Sequence, residues 1–245
     1  MDNTPRHPWW LLVELTGGLV VVLGVTGTLA YLAGVTGYAP LAFGLAPIAL
    51  ALVVGLSLRR AWRPLGFCAV RGTKAALIAT VSVGILPLSA AAVSAGFGVS
   101  AGGAAGFIAL AVLVGFVEET IFRGILLRAF SARGSVAANL ITSTAFAAAH
   151  TITAISPDAD SGQVARTVAF AFLFGIVAAL LTDTTGSIWP AIILHAGFDS
   201  VGFILTPLSP VLTDLVSIGV CAALAVLLAN LRRLAPAAAT PTLDR

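Results

Sequence analysis

Read as apolar and polar positions, the chain alternates long apolar runs with short links rich in Gly, Pro and Ser. Eight runs stand out, at about 10–33, 40–58, 75–94, 104–128, 136–155, 164–181, 189–205 and 211–231. Runs of roughly 18 apolar residues are long enough for a helix to cross the hydrocarbon layer of a bilayer. The pattern therefore predicts an all-α, polytopic membrane helical bundle of about eight transmembrane helices. It reads as a single transmembrane domain over 1–245, with no soluble second domain and no internal repeat. The first run is too long for a signal-peptide core, lacks a small-x-small cleavage site and precedes further spans, so it reads as a retained anchor.

Composition agrees and adds an orientation. The chain is 59% hydrophobic and only 9% charged, with a mean hydropathy of +1.05. With eight spans, one side collects Arg6, Arg59, Arg60, Arg63, Arg71, Lys74, Arg128, Arg133, Arg232, Arg233 and Arg245, while the other has only Arg166. Positively charged loops stay in the cytoplasm, so the expectation is a multi-pass plasma (cytoplasmic) membrane protein with both termini cytoplasmic. The basic balance then reflects topology and attraction to the lipid bilayer, not nucleic-acid binding. Cys68 and Cys221 show no metal or redox spacing and are assigned no role.

Three ionisable groups interrupt the fourth run, in VEETIFRGILLRAF from Val117 to Phe130. Asp2, Asp158, Asp160, Asp183 and Asp244 fall in termini or links, and Glu14 and Asp214 near segment ends. Glu118, Glu119 and Asp199 lie within spans, as do His150 and His195. A charge at the bilayer centre costs at least roughly 2.5–3.5 kcal/mol, so such groups face the bundle interior, pair, and mark a functional site.

Glu119 and Arg123, four apart, share a helical face and are expected to pair. Glu118 lies about 100° around the helix and is left to face a cavity. FAAAH puts Phe146 and His150 on one face of segment five, and HAGFD does the same for His195 and Asp199 on segment seven. Three helices thus carry polar groups that are costly alone and cheap together, which implies that they meet. Phe146 reads as packing.

Two chemistries fit a carboxylate and two imidazoles in a hydrated membrane cavity. In one, Glu118, His150 and His195 hold a divalent metal such as zinc, whose open position activates water. In the other no metal takes part: Glu118 and His150 act as general bases on water, while His195 and Asp199 orient or stabilise the oxyanion. Both hydrolyse an amide. The helix-borne H-E-x-x-H zinc pattern is absent, so a metal site would be assembled across helices. GVSAG, Gly98 to Gly102, matches G-x-S-x-G, but Ser100 sits in a Gly/Ala-rich link instead of a strand-to-helix elbow.

Glu118-Glu119-x-x-x-Arg123, Phe146-x-x-x-His150 and His195-x-x-x-Asp199, in that order on successive helices, resemble the CPBP family. These are the CAAX-processing and bacteriocin-processing intramembrane proteases, also called the type II CAAX prenyl endopeptidase or Abi family. The resemblance covers roughly 104–205, the expected catalytic core, and includes Phe122 to Gly124. It implies an eight-helix bundle whose site faces the cytoplasmic side, with Glu118 as principal catalytic carboxylate, His150 beside it, and His195 and Asp199 as partners. Position 199 is commonly Asn in the eukaryotic enzymes; Asp here favours a ligand or His-orienting role. The implied substrate is a membrane protein or peptide. Two other classes compete. A catalytically silent scaffold or bacteriocin-immunity-type protein would tolerate loss of Glu118. A proton- or ion-coupled transporter would show broken helices or related halves, and the sequence shows neither.

Overall fold

The computed structural model describes residues 7–35, 37, 39–155 and 160–234. Arg6, Asp2, Asp158, Asp244 and Arg245 of the sequence reading lie outside these. The expected bundle is present as eight helical rods: α1 Pro8–Leu32, α2 Ala39–Leu58, α3 Thr73–Ala92, α4 Ala101–Ala129, α5 Ser135–Ala149, α6 Ser161–Thr185, α7 Trp189–Ile204 and α8 Pro210–Leu234. Six of them (α1 to α4, α6 and α8) are long and apolar enough to cross a membrane. The shorter two are those that carry the histidines. At 15 and 16 residues, α5 and α7 reach about 22–24 Å, against about 30 Å of hydrocarbon.

Local chemistry sets the ends. Pro8 opens α1, where its missing N–H costs nothing. The Asp160 carboxylate accepts from Gln163 N at 2.8 Å and caps α6. At the other end of α6, Gly186 takes a left-handed φ of 65°, a conformation natural to glycine after a helix. This helix is longer than the sequence pattern predicts, so Asp183 belongs to its last turn, not to a link, and accepts from Arg232 Nη1 at 3.0 Å. Ser100 has a structural task too: it caps α4, its hydroxyl accepting from Gly103 N at 3.3 Å. Segment five stops earlier than expected; beyond Ala149 the chain tightens into a 3-10 turn, His150–Ile155.

Cross-links define two ends of the bundle. At the first, the Trp9 ring meets Phe130 edge-on at 4.9 Å, and Ile188 N donates to Gly66 O at 2.9 Å. Ser187 donates to Cys68 O at 2.6 Å, and Arg232 pairs with Asp183. The arginine-rich links gather there, so we call it the arginine end. At the opposite end, β1 (Ser94–Phe97) pairs antiparallel with β2 (Leu205–Pro207), Gly96 facing Thr206. Arg166 pairs there with Asp214 at 2.8 Å, tying α6 to α8. This is the ribbon end.

Packing is uneven between them. The buried residues of α4's α-helical part begin only at Leu110, and those of α6 run from Ala171 to Thr185. In α7 they run from Pro190 to Ala196, with Ile204 alone beyond. In these three helices the buried residues lie mainly toward the arginine end, while α2 and α3 carry the core into the ribbon half through Leu45, Leu86 and Ala90.

Candidate active site

Helix α4 changes its winding where its charges begin. After Glu119 the segment Thr120–Leu126 is π-helical, with Leu127 N donating five residues back to Phe122 O. Such bulges redirect side chains and recur at functional sites. Arg128 Nη1 donates to the Arg123 and Gly124 carbonyls at 2.9 and 3.2 Å, so that the altered ladder is satisfied from within the same helix. No periodicity signal in the sequence marks this segment.

Glu119 is fully buried, and one of its oxygens serves two donors. Oε1 accepts from Arg123 Nη1 at 3.1 Å and from His195 Nδ1 at 2.8 Å. The expected Glu119–Arg123 pair is there, and its reach to His195 on α7 was not anticipated from the sequence. A carboxylate can only accept, so the Nδ1 proton of His195 points at Glu119 and Nε2 faces the other acids. Nε2 lies 3.5 Å from Asp199 Oδ2 and 4.0 Å from Glu118 Oε2. The helices can approach because position 115, one turn before Glu119, is glycine. A Cβ there would stand 3.0 Å from Ile192 O, 3.3 Å from Ala196 N and 3.4 Å from the His195 Cβ.

His150 stands at the end of α5. Its Nδ1–H donates to the Phe146 carbonyl at 2.8 Å, which leaves Nε2 for other work. The Phe146 ring is the hub between the two histidines. Its centroid is 4.6 Å from the His150 ring and 6.0 Å from the His195 ring. The Arg123 guanidinium lies over it at 4.4 Å, a cation–π contact that helps hold a buried charge. Phe122 meets it edge-on at 5.0 Å.

Two cavities border this cluster. A small one of about 50 Å³ is shared by Glu118 and His150, with Phe122 and Ala149. A larger one of about 250 Å³ is shared by His150, His195 and Asp199, and reaches Thr213 and Asp214 on α8. The contribution of α8 was missed from the sequence, although Thr213 and Ser217, four apart in an apolar run, were a usable signal. The structure thus brings Glu118, Glu119, Arg123, Phe146, His195 and Asp199 together, and joins His150 to them across the Phe146 ring and both cavities.

Metal ligation is another matter. Among the described residues no three of His, Cys, Asp and Glu compose a group that could hold a metal ion. The bond from His195 Nδ1 to Glu119 leaves Nε2 open, and no step below is routed through a metal.

The fold and this cluster define a polytopic α-helical membrane protein with a buried carboxylate–imidazole centre. The family model for "Type II CAAX prenyl endopeptidase Rce1-like" matches residues 100–201, from the cap of α4 to just past Asp199. Over that stretch, 102 of the 245 residues, the chain is similar to this family, as the three motifs imply. A comparison with curated proteins gave no match.

Proposed function

We propose that this chain is an intramembrane endopeptidase in which Glu118 and His150 activate a water for attack on a peptide carbonyl. Residues 104–205 form its catalytic core, and its substrates are membrane proteins or membrane-bound peptides. We place it in the plasma membrane with both termini cytoplasmic. The observation that carries the reading is the small cavity that Glu118 and His150 share. At about 50 Å³ it has room for a water, which needs at least about 10–15 Å³ of probe-occupied volume and two or more polar partners. Glu118 Oε2 is buried and has no hydrogen-bond partner within the protein, so a water held there meets an unshared acceptor.

The steps follow from these positions. Glu118 takes a proton from the water as its oxygen bonds to the carbonyl carbon, giving a tetrahedral oxyanion. The intermediate collapses with cleavage of the C–N bond, and the proton passes from Glu118 to the leaving amine. Glu119 fixes the tautomer and orientation of His195 through Nδ1. Asp199, 3.5 Å from Nε2, acts on the same ring as an orienting partner. That is the role an acid fits better than the amide common at this position in the eukaryotic enzymes, since an ionised carboxylate would repel an oxyanion.

The test compares protein termini across the host membrane proteome between wild type and Glu118→Ala at equal expression. New termini at membrane boundaries found only with wild type establish the protease and its substrate. Identical termini under several growth conditions would remove this reading in favour of a scaffold.

A further inference from the structure

We infer that a groove between α3 and α8 at the arginine end is a binding site for one anionic phospholipid. Its phosphate sits on Lys74, and one of its acyl chains lies between the two helices. The groove shares no lining residue with the carboxylate–imidazole centre, and the inference does not depend on the protease reading.

The shape comes first. The groove has a volume of about 290 Å³. Its α3 wall is Lys74, Leu77, Ile78, Val81 and Ser82, the i, i+3, i+4, i+7, i+8 spacing of a single helical face. Leu227, Leu228 and Leu231 line it from α8. Ser82 and Leu228 are buried and make the floor, whereas Leu77, Val81 and Leu227 are exposed and make the rim. The groove therefore opens sideways from the bundle, toward the bilayer.

Length and charge choose the occupant. Lys74 to Ser82 is about 12 Å of helix, close to the roughly 15 Å of hydrocarbon in one leaflet. Lys74 is the second residue of α3, at the level of the headgroups, and the lining below it is apolar as far as Ser82. A lysine at such a boundary lays its methylenes along apolar surface and keeps its ammonium among the headgroups. Among the described residues Lys74 has no ion-pair partner, and no acid lines the groove to compete for it. Asp183, also at the arginine end, is already held by Arg232 at 3.0 Å. Arg71 adds positive charge three residues before Lys74. A basic pocket between spanning helices selects a headgroup of net negative charge. A partner helix fits less well, because helix–helix contacts in membranes favour small residues, and this rim is Leu and Val. The lipid also bears on the site. Helix α3 packs against α7 so closely that a Cβ at Gly197, between His195 and Asp199, would stand 3.2 Å from Pro87 Cγ. A chain that braces α3 against α8 therefore supports the helix carrying both.

Native mass spectrometry tests this without requiring any cleavage. The purified chain in detergent is titrated with phosphatidylglycerol and, separately, with phosphatidylcholine of the same acyl chains. The expected result is one phosphatidylglycerol bound more tightly than any phosphatidylcholine, and weakened about fivefold in Lys74→Gln. Arg63→Gln removes the same charge from an exposed position of the same end, outside the groove, and should leave that binding unchanged. Leu77→Trp combined with Leu227→Trp fills the groove from two exposed rim positions and should abolish it. Phosphatidylglycerol should also raise the denaturation midpoint of the wild type and not that of the double-tryptophan variant. Equal affinity for the two lipids would overturn the inference, as would equal weakening by Lys74→Gln and Arg63→Gln, or binding that survives both tryptophans. A wild-type dimer that the tryptophans dissociate would overturn it too, since the groove would then be an interface between copies of the chain.

Discussion

Glu119 Oε1 receives both Arg123 Nη1 and His195 Nδ1, so a single oxygen links the charge balance of α4 to the orientation of the ring on α7. The adjacent carboxylate, Glu118, has an oxygen without any protein donor. Neighbours in sequence, one turned into a structural network and the other into a cavity, are thereby given different tasks. Removing a partner from a buried ion pair leaves an uncompensated charge, at about 3–5 kcal/mol. Arg123→Leu is accordingly expected to destabilise the protein by about that amount, read as a lower denaturation midpoint in detergent. Glu118→Gln, which changes an oxygen that no protein group hydrogen-bonds, should leave the midpoint near wild type while abolishing cleavage. Because the proposed activation of water by Glu118 and His150 routes no step through a metal, peptidase activity of the purified protein should survive exhaustive chelation, and loss of activity restored by added zinc would refute that mechanism.

Between helices, the decisive contact is α4 against α7, where Gly115 admits the backbone of residues 192–196. A side chain at 115 would force α7 outward and carry His195 away from Glu119. Gly115→Val should therefore reduce activity sharply while costing about 1–3 kcal/mol of stability, the usual range for overpacking. A variant that lost stability but kept full activity would show that the approach of α7 is not what positions His195. The same helices show what the sequence made legible. Apolar runs located all eight rods, because membrane insertion demands length and hydrophobicity before anything else. The i,i+4 spacings of Glu119–Arg123 and His195–Asp199 were likewise readable, since α-helical geometry fixes them. The Glu119–His195 bond was not, because nothing local distinguishes which of two adjacent acids a distant helix will reach. Nor was the π segment, whose residues Thr120–Leu126 carry no compositional mark. The length of α5 was overestimated for a related reason: apolar residues continue past His150, and hydropathy cannot say where helical winding gives way to a turn. Ser100 shows the converse error that context prevents, since its G-x-S-x-G surroundings serve a helix cap.

Across the whole molecule, α4, α6 and α7 share an uneven packing, their buried residues lying mainly toward the arginine end, with the buried acids and imidazoles beside them. This polarity has a consequence for motion. Local opening follows the density of buried contacts, so segments of one continuous helix exchange amide hydrogens at different rates when their packing differs. Helix α6 is the clearest case. Its buried residues all lie from Ala171 onward, and its first turns are exposed or half-buried, although winding is α-helical throughout. Hydrogen–deuterium exchange in detergent should therefore show amides at 171–185 exchanging at least about tenfold more slowly than those at 163–170. The contrast within one helix controls for intrinsic helicity, and the contrast between detergent and lipid nanodiscs controls for shielding by the surrounding apolar phase. Uniform protection along α6 in both media would mean that the ribbon half is as firmly closed as the arginine half, and the cavity would then need a larger opening motion to admit a chain. Faster exchange confined to the ribbon half would mean instead that this is the soft half of the fold, with the Arg166–Asp214 pair bridging α6 and α8 there.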